Sequence, residues 1–411
     1  MNFTENEANM GGHRPVRDRA MHIDSMRALA LLGVIVMNIG SMVMMVNGRQ
    51  VFASASAFDL GVAGVDLVFV IGKARSCFAF LFGAGFAILM MRAKARSTDF
   101  RGFYSRRMTA LLLFGLVNQI FLFWGDILAT YALLGFLLMF LGRWSNAALL
   151  KVGLALVIAP SLLAGLLEAI LGHPLPNLLE LPRQTEAART LAAFTSPSYI
   201  DAIEQNIWMG ATRHATGTAH MAIYDLGVFG LFLLGAWSVR TGVLTKPQQH
   251  RALLRRIMKW CLPAGLLLSV VNALPYLGVR PEGLAAAGVT AAYIGVPILA
   301  FFYLAFFALR FSTEAGVVQS MLAPAGRMSL TNYLVSGAFG CWFFYGYGLG
   351  QVTEFGMVEL TLFGVGLFLA LAVMSRIWLS MFPYGPAEWL WRRLAYGKRD
   401  SAPAEVAPAS A

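Results

Sequence analysis

Charge is scarce in this chain: Asp, Glu, Lys and Arg make up 13% of the 411 residues, and 58% are hydrophobic. A soluble protein of that length needs far more charge to cover its surface, so an arrangement of two or three soluble domains is excluded. Cysteine is scarcer still. Cys77, Cys261 and Cys341 are odd in number, far apart and set inside apolar runs, which suggests neither a disulfide framework nor a metal cluster. They read as small packing residues, and no metal is expected. Segments of about ten residues alternating apolar and polar, the mark of a transmembrane β-barrel, are also missing. No Walker motif, no GxGxxG opening a helix, no HExxH and no GxSxG stands where its mechanism would need it.

What the chain has instead is a series of apolar runs of membrane length, near 28–46, 66–91, 108–124, 127–142, 149–171, 222–239, 260–278, 284–309, 328–345 and 357–381. Each suits a transmembrane helix. The sequence therefore predicts an all-α polytopic bundle of about ten spans. The formal net charge is +11, but no contiguous basic patch with interleaved aromatics lies outside the apolar runs, so nucleic acid is not an expected partner and the lipid bilayer is. Ten spans with a cytoplasmic N-terminus put 23 of the 32 Lys and Arg on the cytoplasmic side and 5 on the other. That split follows the positive-inside rule, with both termini cytoplasmic in a bacterial inner (plasma) membrane. Ala53-Ser54-Ala55 resembles a signal-peptidase site, but the run before it is longer than a signal-peptide core, which favours a retained first helix.

Three parts follow: a cytoplasmic segment 1–23, a bundle 24–398 with an external loop at 172–221, and a Pro-, Ala- and Ser-rich tail 399–411 expected to be disordered. Within the loop, 184–194 and 198–210 have helical spacing, with Ser198 placed to cap the second. Two short amphipathic helices on the outer surface are predicted.

An ionisable side chain at mid-bilayer costs at least ~2.5 kcal/mol, so each one within a span marks protein or water contact. Asp24 and Arg27 stand one turn apart at the cytoplasmic end of the first span; Arg27 and Asn38 share a face ~16 Å apart. Either an interfacial ion pair plus an interhelical amide bond, or a cavity wall, accounts for them. Asp66, Lys73 and Arg75 precede the small-residue run at 78–88. A continuous helix from Asp66 would bury both cations where they suit an anionic group. A break near Gly72 would instead leave 58–72 as an interfacial helix and both cations at the surface. Asp126, Tyr131, Asp225, His214 and His220 lie towards the external side, where carboxylates and imidazoles are the usual general bases. Helix-end acids and solvated loop histidines have the same look. Asn118, Ser329, Thr331, Asn332, Tyr333 and Ser336 add amides and hydroxyls that suit interhelical hydrogen bonding. Gly83, Gly85, Gly227 and Gly230 permit close helix approach.

Six stretches, DSMRALALLGVIVMNI (24–39), FAFLFGAGFAI (78–88), GDILATYALLG (125–135), GRMSLTNYL (326–334), FYGYGLG (344–350) and YGPAEWLWRRLAYG (384–397), resemble in order the YeiB-type family, the bacterial membrane proteins grouped as domain of unknown function 418. That family is similar, more remotely, to membrane acyltransferases: bacterial O-acyltransferases of surface sugars and the lysosomal heparan-α-glucosaminide N-acetyltransferase. The resemblance implies a bundle that takes an acyl group from cytoplasmic acyl-CoA and delivers it to a sugar or lipid acceptor on the far side. The O-acyltransferases carry Arg, ten residues, then a catalytic His in the first span; here Arg27 is followed after ten residues by Asn38. The lysosomal enzyme places its His shortly before an Asp-Leu-Val-Phe. Asp66-Leu67-Val68-Phe69 matches that stretch, but Ser56 stands ten residues before Asp66 and no His occurs between His22 and His173. The base implied for acyl transfer is then Asp66 or Asp126, or a loop histidine such as His214 or His220.

The first functional expectation is an acyl-CoA-dependent membrane acyltransferase. Arg27, Lys73 and Arg75 would bind the donor, Asn38, Asn332 and Tyr333 would position it, and Asp66 or Asp126 would be the base. A transporter or flippase for an anionic lipid or metabolite uses the same cations without covalent chemistry; the lack of a visible internal repeat argues mildly against it. A non-catalytic membrane accessory protein is the third reading.

Overall fold

A computed structural model describes residues 16–95, 99–141, 144–171, 184–216, 218–274, 285–312 and 316–396. The expected disordered tail 399–411 and the first part of the 172–221 loop lie outside these residues, as do the side chains of His214 and His220. The fold is all-helical, with no strand among the described residues. In chain order the helices are α1 (Val16–Ser54), α2 (Ala57–Phe69), α3 (Lys73–Ala95), α4 (Phe100–Val117), α5 (Leu128–Phe140), α6 (Asn146–Leu171), α7 (Gln184–Thr195), α8 (Tyr199–Thr216), α9 (Thr218–Arg240), α10 (Arg251–Ala273), α11 (Ala285–Phe311), α12 (Val317–Arg327), α13 (Ser329–Phe344), α14 (Met357–Met381) and α15 (Pro386–Tyr396). Six segments among the described residues are long and apolar enough to cross a bilayer: Met21–Gly48, Ala57–Ala95, Asn146–Leu167, Ile223–Arg240, Ile294–Phe311 and Met357–Met381. Of the other runs read from the sequence, 127–142 corresponds to α5, an apolar helix of only 13 residues, and 328–345 to α13, of 16.

Helix α1 is the hub and packs against α3, α12, α13 and α14, while α3 crosses α9 and α10 pairs with α11. The α3–α9 crossing is set by missing side chains: a Cβ on Gly83 would collide with the Phe232 carbonyl, and one on Gly235 with that of Phe80. Gly227, by contrast, faces open space. Between α2 and α3 the chain breaks at Gly72, whose φ of 82° lies in the left-handed region that side chains avoid. The break is therefore where one reading of the sequence put it, yet it does not bring Lys73 to the surface, because Lys73 is wholly buried.

After α4 the chain makes a single π turn, Asn118–Leu122. The turn leaves carbonyls free of the α-helical ladder, and α8 meets them: Asn206 Nδ2 donates to Ile120 O at 3.2 Å and the Tyr199 hydroxyl donates to Phe121 O. Helices α7 and α8 are the two expected amphipathic loop helices, with α8 beginning directly after Ser198. They do not merely lie on the surface. Phe194 of α7 is fully buried, stacks on Tyr345 with ring centroids 4.1 Å apart, and gives its carbonyl to Gly346 N at 2.7 Å.

Candidate functional site

A half-open cavity of about 1580 Å³ lies in the bundle, lined mainly by α1, α3, α4, α5, α13 and α15. One end is ringed by Arg27, Arg92, Arg106, Arg107, Lys246, Arg327 and Arg392, with Asp24, Asp99 and Glu388 the acids on the wall. The deep wall is aromatic and aliphatic, with Phe78, Phe82, Leu111, Tyr131 and Tyr333. From Arg92 to Phe78 the lining follows α3 for ~21 Å. A basic mouth over an apolar shaft suits a long amphiphile with an anionic head, since clustered cations in a low-dielectric cleft attract anions well beyond contact range.

Local sequence fixes the mouth. Arg27 donates to Asp24 Oδ1 at 3.0 Å one turn earlier, and Gly85 lies beside its guanidinium. Arg327 ends α12 and donates to Pro383 O at 3.2 Å. Arg106 Nε donates to Ala395 O at 2.9 Å, and Arg107 lies over the Trp391 ring with 3.5 Å to its centroid.

At the deep end Tyr333 reaches a buried carboxylate. Its hydroxyl accepts the Ile127 N–H at 3.3 Å and faces Asp126 Oδ1 at 3.4 Å. Asp126 also accepts from Asn118 Nδ2 at 2.8 Å and from Ala129 N, in the first turn of α5, at 2.9 Å. Tyr333 touches both the cavity and Asp126, so the carboxylate sits one hydroxyl away from whatever occupies the shaft.

The remaining sequence-derived candidates stand apart from this cavity's lining. Lys73 Nζ donates to Leu67 O at 2.7 Å across the α2–α3 break. Arg75 lies over the Tyr224 ring, 4.7 Å from its centroid, with Nη2 at 3.7 Å from Met37 Sδ. Asp66 accepts from Thr361 Oγ1 of α14 at 2.6 Å. Asn38 is buried away from Arg27's cavity wall, and Asn332 donates to Ala325 O at 3.2 Å and Ser375 Oγ at 2.9 Å. The structure thus places Arg27 and Tyr333 on one cavity, with Asp126 behind Tyr333, and leaves Asp66, Lys73, Arg75, Asn38 and Asn332 in separate contacts. In the sequence alone the other six cations at the mouth carry only a topology signal, and nothing there distinguishes Glu388. Sequence separation hides their convergence, although 384–397 was among the six matching stretches.

Residues 238–398, which include Lys246, Arg327, Tyr333 and Glu388, match the family model described as Protein of unknown function (DUF418). Over 388 residues the chain is 29% identical to the Uncharacterized protein YxaH of Bacillus subtilis (strain 168), covering 91% of this chain and 93% of the relative. It is 28% identical over 404 residues to the Uncharacterized protein YeiB of Escherichia coli (strain K12), covering 92% and 96%. The chain is similar to YeiB and YxaH. That likeness extends over nearly its whole length, as the six stretches imply, and the fold it accompanies is a membrane-type helical bundle.

Proposed function

We propose that this YeiB-like protein is a multi-pass membrane acyltransferase that takes an acyl group from acyl-CoA at its basic, cytoplasmic end and passes it to an acceptor hydroxyl arriving from the external side. The observation that carries the reading is the single shaft joining seven cations to the Tyr333–Asp126 pair. The phosphates of the donor suit Arg92, Arg106, Arg107 and Lys246, and its uncharged arm and acyl chain suit the aromatic shaft. In the transfer step the acceptor oxygen bonds to the thioester carbonyl carbon and the carbon–sulfur bond breaks. The hydroxyl proton passes through Tyr333 to Asp126 and from there to the departing thiolate, which leaves as the free thiol. Asp126 is favoured over Asp66 as the base because Tyr333 links it to the cavity, whereas Asp66 is held by Thr361. The inner membrane of a bacterium is the location that the charge asymmetry and the bacterial relatives support.

Purified protein incubated with radiolabelled acetyl-CoA and a panel of sugars and lipids tests the proposal. Protein-dependent label in an acceptor supports it. Absence of both donor binding and transfer overturns it. Uptake of an anionic substrate into proteoliposomes without covalent change would assign the same cavity to transport.

A further inference from the structure

Helix α15 has two working faces. Ala387, Glu388, Trp391 and Ala395 face inward: Glu388 accepts the N–H groups of Leu330 and Thr331 at 2.8 and 3.1 Å, Ala387 N donates to Thr331 Oγ1 at 3.0 Å, and Trp391 Nε1 donates to Arg107 O at 2.8 Å. Glu388 and Trp391 line the basic mouth of the cavity, so this face is part of its wall. The opposite face carries Trp389, Leu390 and Leu394, which are 50%, 40% and 48% exposed, with Arg393 among them over the Trp389 ring. Large apolar side chains left this open on a short helix need a partner that takes both hydrocarbon and positive charge.

Two observations name the partner. Helix α14 ends at Met381, five residues before α15 begins, and Ile377, Met381 and the following Phe382 at that end are exposed as well. That end also holds the excess of Lys and Arg, which places it against the leaflet rich in anionic lipid. We infer that α15 is a latch registered to the membrane: its inner face closes the basic mouth of the cavity while Trp389, Leu390, Arg393 and Leu394 seat among anionic phospholipid headgroups of the adjoining leaflet. Anionic lipid then holds the latch shut, and release of the lipid face frees the mouth. This inference does not depend on acyl transfer, because it concerns access to the cavity whatever its occupant.

The test places the full chain, with Cys261→Ser and Ser329→Cys, in nanodiscs of phosphatidylcholine alone or with phosphatidylglycerol. Labelling of position 329 by an uncharged polyethylene-glycol maleimide is timed, so that surface potential does not act on the reagent. Labelling about fivefold slower with phosphatidylglycerol is expected, the effect of one interfacial basic residue. Arg393→Gln with Leu394→Ser should make the two lipids equivalent, and Thr331→Val, which loosens the inner face, should label fast in both. A cysteine at Thr245, which also lines the cavity, repeats the measurement should the first variant misfold. Equal rates in the two lipids at both positions would overturn the inference, and so would a lipid effect that survives Arg393→Gln with Leu394→Ser. Equal rates that depend on protein concentration would assign the exposed face to a second copy instead.

Discussion

Lys73 Nζ donates to the carbonyl of Leu67 at 2.7 Å, with the lysine side chain fully enclosed. The bond closes the break at Gly72, where the last turn of α2 leaves carbonyls that α3 does not meet. Lys73 is therefore a structural lysine, and its variants separate architecture from ligand binding. Lys73→Ala removes both the bond and the packed stem and is expected to destabilise the bundle by about 2–4 kcal/mol. Lys73→Met, which keeps the volume and removes a buried charge, should cost less. In both variants affinity for an anionic cavity ligand should stay within about twofold of wild type, a change too small to matter against one tenfold step of 1.4 kcal/mol. Thermal unfolding in detergent beside a donor-binding titration checks this; a large loss of binding in folded Lys73→Met would return Lys73 to the site.

The Tyr333–Asp126 pair makes a sharper demand. Asp126→Asn keeps one oxygen for Ala129 N, turns an NH2 towards Asn118 and Tyr333, and removes the proton acceptor, so transfer should fall by about a hundredfold or more while donor binding persists. Tyr333→Phe interrupts the same relay at the cavity wall and should reduce kcat similarly with little change in KM. Asp66→Asn, whose partner is Thr361, should leave kcat close to wild type. Steady-state kinetics on the three variants decide between the two carboxylates.

Much of the architecture was legible because each rule is local. Apolar runs predict helices, one of two readings puts a break near Gly72, and the spacing at 184–194 and 198–210 predicts α7 and α8. The site was less so. Arg92, Arg106, Arg327 and Arg392 are far apart in the chain, and a positive residue beside an apolar run satisfies the membrane rule before any cavity is considered. The same residues do both. Lys73 and Arg75 stand out in the sequence by their depth, but depth in a helix says nothing about which carbonyl or ring lies opposite. Lys73 found Leu67 O and Arg75 found Tyr224. Glu388 was invisible for the converse reason: an acid in the first turn of a short helix reads as its own N-terminal charge, whereas here it serves the N-terminus of α13, over fifty residues earlier.

The mouth cations predict a salt signature. Arg92→Gln and Lys246→Gln should each weaken binding of an anionic ligand by about three- to fivefold at low ionic strength, and less at high salt, since attraction between exposed charges is screened within about 10 Å at 0.1 M. The double variant should also flatten the dependence of Kd on salt. Isothermal titration across a salt series measures both. A salt dependence identical to wild type would mean that the ligand's charge is held elsewhere.

Glu388 predicts a pH dependence whose sign follows from its surroundings. Burial pushes its carboxyl above the ordinary 4.5, against the opposing pull of the Thr331 hydroxyl and the backbone N–H groups of Thr331 and Leu330. A raised value in the docked state means that α15 in place holds its proton more firmly than α15 released. The protonated, docked form is thus favoured below the ordinary glutamate range, and that contribution is lost as pH rises through the raised value. Wild type should gain thermal stability as the pH falls from neutral towards 4.5, beyond whatever other carboxylates contribute. Glu388→Gln, which keeps an amide oxygen for the N–H groups of α13 but cannot ionise, should lack that component, so the Tm of wild type should rise relative to that of the variant with acidification. Paired melting curves across that window give the difference directly. A constant offset would mean that Glu388 does not change its protonation on docking and acts on α13 only as a fixed charge.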